Sequence, residues 1–169
     1  MKRVHVVGRK NSGKTTLVVE LVKYLSAQGC RVGTIKHTHH HHELDTPGKD
    51  SHRHREAGSA VVGIVSPGMT AVFEPADSTA TRDASRYDRL APMFNDCDLV
   101  LVEGDLQTDA PRVEVWRAEA LESPIGREDP SIAAVISDDS VDVTMPHWSR
   151  SEIGVIANGL LRLARADHA

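Results

Sequence analysis

Cysteine, basic excess and long apolar runs are all in short supply in this chain of 169 residues. There are only two cysteines, and Cys30 and Cys97 form no C-x-x-C pair, which fits a reducing compartment and argues against a disulfide framework. Lys and Arg number 20 against 24 Asp and Glu, a formal net charge of −4 with the cations scattered. Nucleic-acid-binding surfaces show a clear basic stripe, so that partner class is not expected. No apolar run approaches the roughly 20 residues needed to span a bilayer, and the N-terminus enters a strand with no signal-peptide core. The expectation is a cytoplasmic protein that makes no membrane contact. Internal repeats and interdomain linkers are also missing, so residues 1–169 are expected to form a single nucleotide-binding domain.

What is present is organised around Gly8-Arg9-Lys10-Asn11-Ser12-Gly13-Lys14-Thr15, a match to G-x-x-x-x-G-K-[ST]. Such a loop binds phosphate only between a strand and a helix, where backbone N–H groups and the positive end of the helix dipole converge. Both neighbours are there. Residues 3–7 are mostly apolar, as a central parallel strand is, and Leu17, Val18, Leu21, Val22 and Leu25 recur at helical spacing. Gly8 and Gly13 let the backbone approach phosphate oxygens, with Asn11 and Ser12 between them. Lys14 is placed to reach the β- and γ-phosphates, the Thr15 hydroxyl to ligate Mg²⁺, and Thr16 to support the α-phosphate. The fold class that follows is α/β, a P-loop NTPase-type three-layer fold with a mostly parallel sheet and an inserted β-hairpin.

A helix stop at Gln28-Gly29 leads to a second strand over 31–35, ending at Lys36-His37. A right-handed crossover brings Lys36 and His37 to the carboxyl edge of the sheet, where ligands of open parallel sheets bind. Cys30 and Cys97 each precede an expected strand and fall at the opposite edge, as small semi-buried thiols. Seven of the ten histidines lie between His37 and His54, including the run at 39–42. A consecutive run imposes no ligand geometry, so it reads as a polar loop that picks up transition metals adventitiously. Residues 45–48 read as a turn, 49–57 as a short polar helix, and 60–65 with 69–73 as a hairpin whose free edge suits a second copy of the chain. Residues 74–86 read as loop, with a short helix after it. Arg112 to Trp116 alternates like a half-exposed strand, residues 132–136 form a buried one, and the final helix has Ser149 or Ser151 available as its N-cap.

The apolar strand over 97–104 carries a carboxylate at each end, and five strand steps of about 3.3 Å separate Asp98 from Glu103 by roughly 16 Å. One magnesium ion cannot use both. A strand parallel to the first brings Glu103 to the nucleotide edge, so Glu103 is the candidate metal-binding and catalytic carboxylate.

The combination resembles the MobB proteins of molybdopterin-guanine dinucleotide biosynthesis, small P-loop proteins of molybdenum-cofactor maturation. The resemblance rests on the loop at 8–15 with Thr16-Leu17, on Lys36-His37, on Asp45-Thr46-Pro47-Gly48-Lys49-Asp50-Ser51 running on to Arg53-His54 and Ala57-Gly58, and on Leu101-Val102-Glu103-Gly104. It implies a homodimer that binds GTP with Mg²⁺, hydrolyses it slowly at best, and assists the molybdenum cofactor guanylyltransferase. Asp45, Lys36 and His37 are carried over as site residues, and molybdopterin stays open as a further ligand. One departure stands out: family members often have Phe-Lys after Glu-Gly, and this chain has Asp105-Leu106.

Two other readings compete. A nickel-handling GTPase of the metallochaperone kind would use the histidines, but the chain has no Cys-Pro-Cys or Cys-Pro-His motif and no Asn-Lys-x-Asp guanine signature. A small-molecule kinase needs a spare general base and an acceptor pocket, and neither is identifiable. Nothing in the loop itself separates GTP from ATP.

Overall fold

The first strand, β1 (Arg3–Val7), runs directly into the glycine-bearing loop, and α1 (Lys14–Ala27) leaves it. The structure is a computed structural model that describes residues 1–38, 43–75 and 84–166, without the side chains of 84–86. The remaining elements are β2 (Val32–Lys36), α2 (Asp50–Glu56), β3 (Val62–Val65), β4 (Thr70–Phe73), α3 (Ala84–Leu90), β5 (Leu99–Glu103), β6 (Arg112–Val115), β7 (Ile132–Ile136), β8 (His147–Trp148) and α4 (Ile153–Ala166). Their contacts gather into two units, residues 1–38 with 83–169, and residues 39–82.

In the larger unit six strands lie in the order β2-β5-β1-β6-β7-β8, each neighbouring pair parallel. This is the α/β, P-loop NTPase-type fold expected from the sequence. Parallel strands covered on both faces bury nearly every side chain, which is why residues 99–102 are apolar without alternation and wholly buried. On one face, Val4, Val6, Leu99, Leu101, Val113 and Val115 meet Leu17, Leu21 and Leu25 of α1 and Ile156, Leu160 and Ala164 of α4. Fully burying a side chain such as Leu101 contributes about 1.5–3 kcal/mol. On the other face, Val100 and Val102 pack with Tyr87 of α3, and with Phe94 in the 3-10 turn at Ala91–Phe94.

The pairing register carries the functional geometry. Glu103 stands level with Val6 of β1 and with Lys36 of β2, at the carboxyl edge that the phosphate loop also leaves.

The smaller unit contains α2 and the antiparallel pair β3–β4, the hairpin expected between residues 60 and 73. The histidines at 39–42 lie outside the described residues, as does most of the expected loop at 74–86.

Two expectations change. The strand at 112–115 is not half-exposed: it sits between β1 and β7, with Val113, Glu114 and Val115 at most 1% exposed. Its alternation reflects a carboxylate on a buried face, accepted there because the Ile125 and Gly126 N–H groups donate to Glu114 Oε1 and Oε2, both at 2.9 Å. The serines before α4 are not its cap either. The helix starts at Ile153 with the Ile156 N–H bonded to the Glu152 carbonyl, while Ser149 Oγ and the Ser151 N–H donate to Asp138 Oδ1. Among the described residues, no helix is long and apolar enough to cross a membrane.

Candidate nucleotide-binding site

The loop between β1 and α1 is shaped for backbone approach. Gly8 has φ 141°, and a Cβ there would lie 2.4 Å from the Val115 carbonyl oxygen, so any other residue would collide with β6. Gly13 has φ 93° and sits at the N-cap of α1 without a side-chain cap, which leaves the first N–H groups of the helix free for a ligand. Asn11 takes φ 63°, a left-handed conformation that asparagine tolerates better than most residues. Ser12 is 2% exposed, and among the described residues its hydroxyl has no hydrogen-bond partner. An orphaned buried hydroxyl inside a cradle of N–H groups fits the oxygen-rich phosphate chain of a nucleotide.

Lys14 Nζ is folded back on the loop, donating to the Gly8 carbonyl at 2.9 Å and the Arg9 carbonyl at 2.6 Å. Burial lowers its pKa, as does the charge of Lys36, while Glu103 works against the shift. The ammonium is thus held by weak, neutral acceptors that an anionic ligand can outcompete.

Thr15 Oγ1 donates to Glu103 Oε1 at 2.6 Å, and Lys36 Nζ donates to the same oxygen. Burial by itself pushes the Glu103 pKa up. The hydrogen bonds from Lys36 and Thr15 and the charges of Lys36 and Lys14 outweigh it and hold the carboxyl below its ordinary range, so the group stays ionised. A threonine hydroxyl beside an ionised carboxylate at a phosphate loop suits Mg²⁺, which takes few protein ligands and completes its shell with phosphate oxygens and water. Asp98 lies at the other end of β5, where its Oδ2 accepts the Arg31 N–H at 2.8 Å.

A cleft of about 500 Å³ brings together Asn11, Gly13, Lys14, Thr15, Thr16, Lys36 and Glu103, together with Lys10 and Arg117. Gly8 and Ser12 stand behind it in the loop. His37 is beside the site and not in the cleft lining: its N–H bonds to the Glu103 carbonyl at 2.9 Å, and its carbonyl oxygen packs where a Gly104 Cβ would be. Asp45 belongs to the smaller unit. Its Oδ1 accepts the Thr46 N–H at 2.8 Å and the Ser51 hydroxyl at 2.9 Å, and Oδ2 stands 3.6 Å from Arg55. The Asp-Thr-Pro-Gly-Lys-Asp-Ser block therefore closes a turn onto the start of α2.

Several participants lie outside the motifs. Arg117 carries no sequence signal, because it reaches the loop only through the pairing of β6 with β1. Asp105, the first residue after Glu103-Gly104, has φ 63° and is 4% exposed. It accepts the Tyr87 hydroxyl at 2.8 Å and the Gln107 N–H at 2.9 Å. His5 lies beneath it, with Nδ1 at 3.3 Å from the Gly104 carbonyl. A carbonyl only accepts, so Nδ1 carries the proton and Nε2 faces the Thr108 hydroxyl at 3.5 Å. Burial lowers the His5 pKa to about 4, and the imidazole is neutral despite standing 3.8 Å from Asp105. Arg112 is committed to other partners. It donates to the Leu106 carbonyl at 2.6 Å and pairs with Asp129 at 3.0 Å. Among the described residues, no cluster of three or more His, Cys, Asp or Glu is arranged to hold a metal ion.

Known proteins place this architecture. The family described as MobB, molybdopterin guanine dinucleotide synthesis protein B, matches over residues 3–138. The molybdopterin-guanine dinucleotide biosynthesis adapter protein of Haemophilus influenzae is 34% identical over 140 residues, which is 82% of this chain and 75% of that protein. Its Escherichia coli counterpart is 37% identical over 117 residues, 67% of this chain and 64% of that protein. The crystal structure of a molybdopterin-guanine biosynthesis protein B superposes with a TM-score of 0.70 at 28% identity, covering 96% of this chain and 99% of that one. A MobB homolog from Bacillus stearothermophilus gives 0.65 at 26% identity, covering 98% and 99%. The phosphate loop, Lys36 and Glu103 all fall within the matched span, and the chain belongs to the MobB family.

Proposed function

We propose that this protein is a GTP-binding accessory protein of molybdenum-cofactor biosynthesis that assists a molybdenum cofactor guanylyltransferase in joining GMP to molybdopterin, with weak Mg²⁺-dependent GTPase activity of its own. The observation that carries the reading is the Thr15–Glu103 hydrogen bond at 2.6 Å beneath a phosphate loop whose Lys14 donates to the Gly8 and Arg9 carbonyls. Family membership supplies the pathway, and the names of the Haemophilus and Escherichia relatives supply the adapter role. Gly8, Asn11, Ser12, Gly13, Lys14, Thr15 and Thr16 hold the phosphates in this reading, and Thr15 with Glu103 holds the metal. Magnesium, when bound, would supply charge neutralisation at the phosphates.

Slow turnover belongs to this reading, in which two of the cations beside the loop are already paired. Arg9, in the loop itself, is paired with Glu122 at 3.1 Å, and Lys36 is engaged by Glu103. A fast nucleotide hydrolase needs a positioned water and a cation on the developing γ-phosphate charge, worth about 10³–10⁵ in rate for the cation alone, and this reading assigns neither. Homodimerisation through the hairpin is part of the same reading, supported by Val65 at 83% exposure in β3 and Met69 at 73% in the turn before β4. A cytoplasmic setting is consistent with this role.

Calorimetry tests the proposal, with GTP and ATP titrated into wild type and Lys14→Ala, alongside a purified guanylyl-transfer assay. GTP is expected to bind with Mg²⁺, Lys14→Ala to weaken it about a hundredfold or more, and addition of the protein to raise guanylyl transfer. Equal affinity in the variant would remove the loop as the site. Hydrolysis faster than about 1 s⁻¹ without any effect on guanylyl transfer would replace the adapter reading with that of an independent enzyme.

A further inference from the structure

We infer that Arg117 is a nucleotide-binding residue, a cation brought in from the end of β6 that holds the phosphate chain of a bound nucleoside triphosphate. The inference rests on the reading of the cleft as a nucleotide site and adds a contact that neither the motif nor the family match assigns.

Arg117 lies two residues past the end of β6, the strand that pairs with β1, so it emerges beside the loop into which β1 leads. Its guanidinium lies over Gly13: a Cβ there would be 3.1 Å from Nη2, 3.4 Å from Cζ and 3.5 Å from Nε. Near-equal distances to three atoms of the group mean that its flat face covers the glycine, leaving its rim of N–H donors turned along the loop. Glycine at position 13 thus serves twice, by allowing the left-handed turn and by leaving room for the arginine.

The charge distribution calls for an anion. The guanidinium and the N–H groups at the start of α1 are donors only, and Lys10 and Lys14 line the same cleft. The nearby carboxylates are already matched, Glu103 by Lys36 and Glu122 by Arg9. Arg117 is exposed, and among the described residues its guanidinium has no hydrogen-bond or ion-pair partner. Lys10, Lys14, Lys36 and Arg117 outnumber Glu103 in the cleft, and such a surplus of cations among donors is unfavourable until a polyanion arrives. The backbone on either side is fixed, which keeps the side chain in reach. The Trp116 N–H bonds to the Ile136 carbonyl at 3.1 Å, the Ala118 N–H to Asp139 Oδ2 at 2.8 Å, and Trp116 Nε1 to the Glu122 carbonyl at 2.8 Å. An arginine so tethered can form a bidentate contact with phosphate oxygens, which a lysine cannot reproduce.

The test uses the full chain and titrates GTP with Mg²⁺ into wild type, Arg117→Ala, Arg117→Lys and Lys14→Ala at several salt concentrations. Arg117→Ala is expected to weaken GTP about tenfold or more and to make Kd less dependent on salt, with Arg117→Lys between it and wild type. The thermal midpoint of the ligand-free protein should not move, since the side chain is exposed and unpartnered. GTP affinity within about twofold of wild type, or a loss with unchanged salt dependence, would overturn the phosphate contact. Lys14→Ala separates the two levels. If it abolishes binding while Arg117→Ala does not affect it, only this inference fails, and if neither matters, or wild type binds no GTP, the nucleotide reading fails with it.

Discussion

At one end of the central sheet the strands run into loops that carry unusual backbone and clustered charge, and at the other they begin in ordinary packing. Each non-glycine residue with positive φ among the described residues belongs to the first end: Asn11 after β1, Asp105 after β5 and Leu121 after β6. Glu103, Thr15, Lys36 and Arg117 converge there. The amino end has Cys30, Cys97 and Asp98, with Phe94 packed against Gly33 and an Arg31–Asp96 pair at 3.8 Å whose side chains are 71% and 84% exposed. Such an exposed pair contributes little. Strain of about 1–3 kcal/mol per residue persists only where the surroundings over-determine it. The comparison teaches that the strained, charged end is bound to buried anchors, and that breaking an anchor should cost far more there than breaking a contact at the amino end.

Glu114 is the strongest anchor, because it is fully buried at the carboxyl end of β6 and receives two backbone N–H groups of the segment that follows Arg117. Burial raises its pKa against the pull of those donors and of Arg9. Removing it strands both N–H groups in a closed interior, at about 1–3 kcal/mol each, and opens a cavity. Glu114→Ala is therefore expected to lose about 4 kcal/mol in urea unfolding. A loss below about 1 kcal/mol would show that the segment does not depend on this carboxylate.

The second anchor is His5, which supports the Gly104-Asp105 turn from the neighbouring strand β1 and is faced by Asp105, Arg3, Tyr87 and Thr108. Its pKa falls from 6.5 to about 4 because burial disfavours the charged ring. Between those values the unfolded chain binds the proton and the folded chain does not, so stability is fully present above pH 6.5 and is lost as pH falls toward 4. The loss should reach at most about 3 kcal/mol, and His5→Gln should flatten that part of the profile relative to wild type. Unfolding series at stepped pH decide it: identical slopes for the two proteins would mean that His5 is not the group responsible.

The sequence revealed the first end unevenly. The loop, the strand before it and the helix after it follow from glycine spacing and apolar periodicity, and the direction of β5 follows from parallel pairing, which puts Glu103 and not Asp98 at the edge of the phosphate loop. Arg117 could not be found that way, since its place depends on which strand pairs with β1, and the order of strands in a sheet leaves no local mark. Glu114 misled for a related reason. Alternation with an acidic residue ordinarily means a wet face, and only the N–H groups of residues 125 and 126, supplied by a later turn, let a carboxylate sit inside. The turn at 45–48 is legible from composition, whereas Asp45 enters the site only through the resemblance, and its hydrogen bonds are to its own segment.

The smallest expected effects compare the two carboxylates of β5 directly. Glu103→Gln keeps an oxygen able to accept the Thr15 hydroxyl but removes the negative charge that faces Lys36, Lys14 and, in the proposed complex, magnesium. Affinity for GTP should fall about tenfold when Mg²⁺ is present and change little when it is chelated, since the loop supplies metal-independent binding. Asp98→Asn leaves an acceptor for the Arg31 N–H at the far end of the strand, so nucleotide affinity should stay within about twofold and stability within about 0.5 kcal/mol. Measuring both variants with and without Mg²⁺ makes the pair a single experiment on strand polarity. If Asp98→Asn loses the magnesium effect and Glu103→Gln retains it, the metal is not at the carboxyl edge, and the contrast between the two ends of the sheet has been assigned the wrong chemistry.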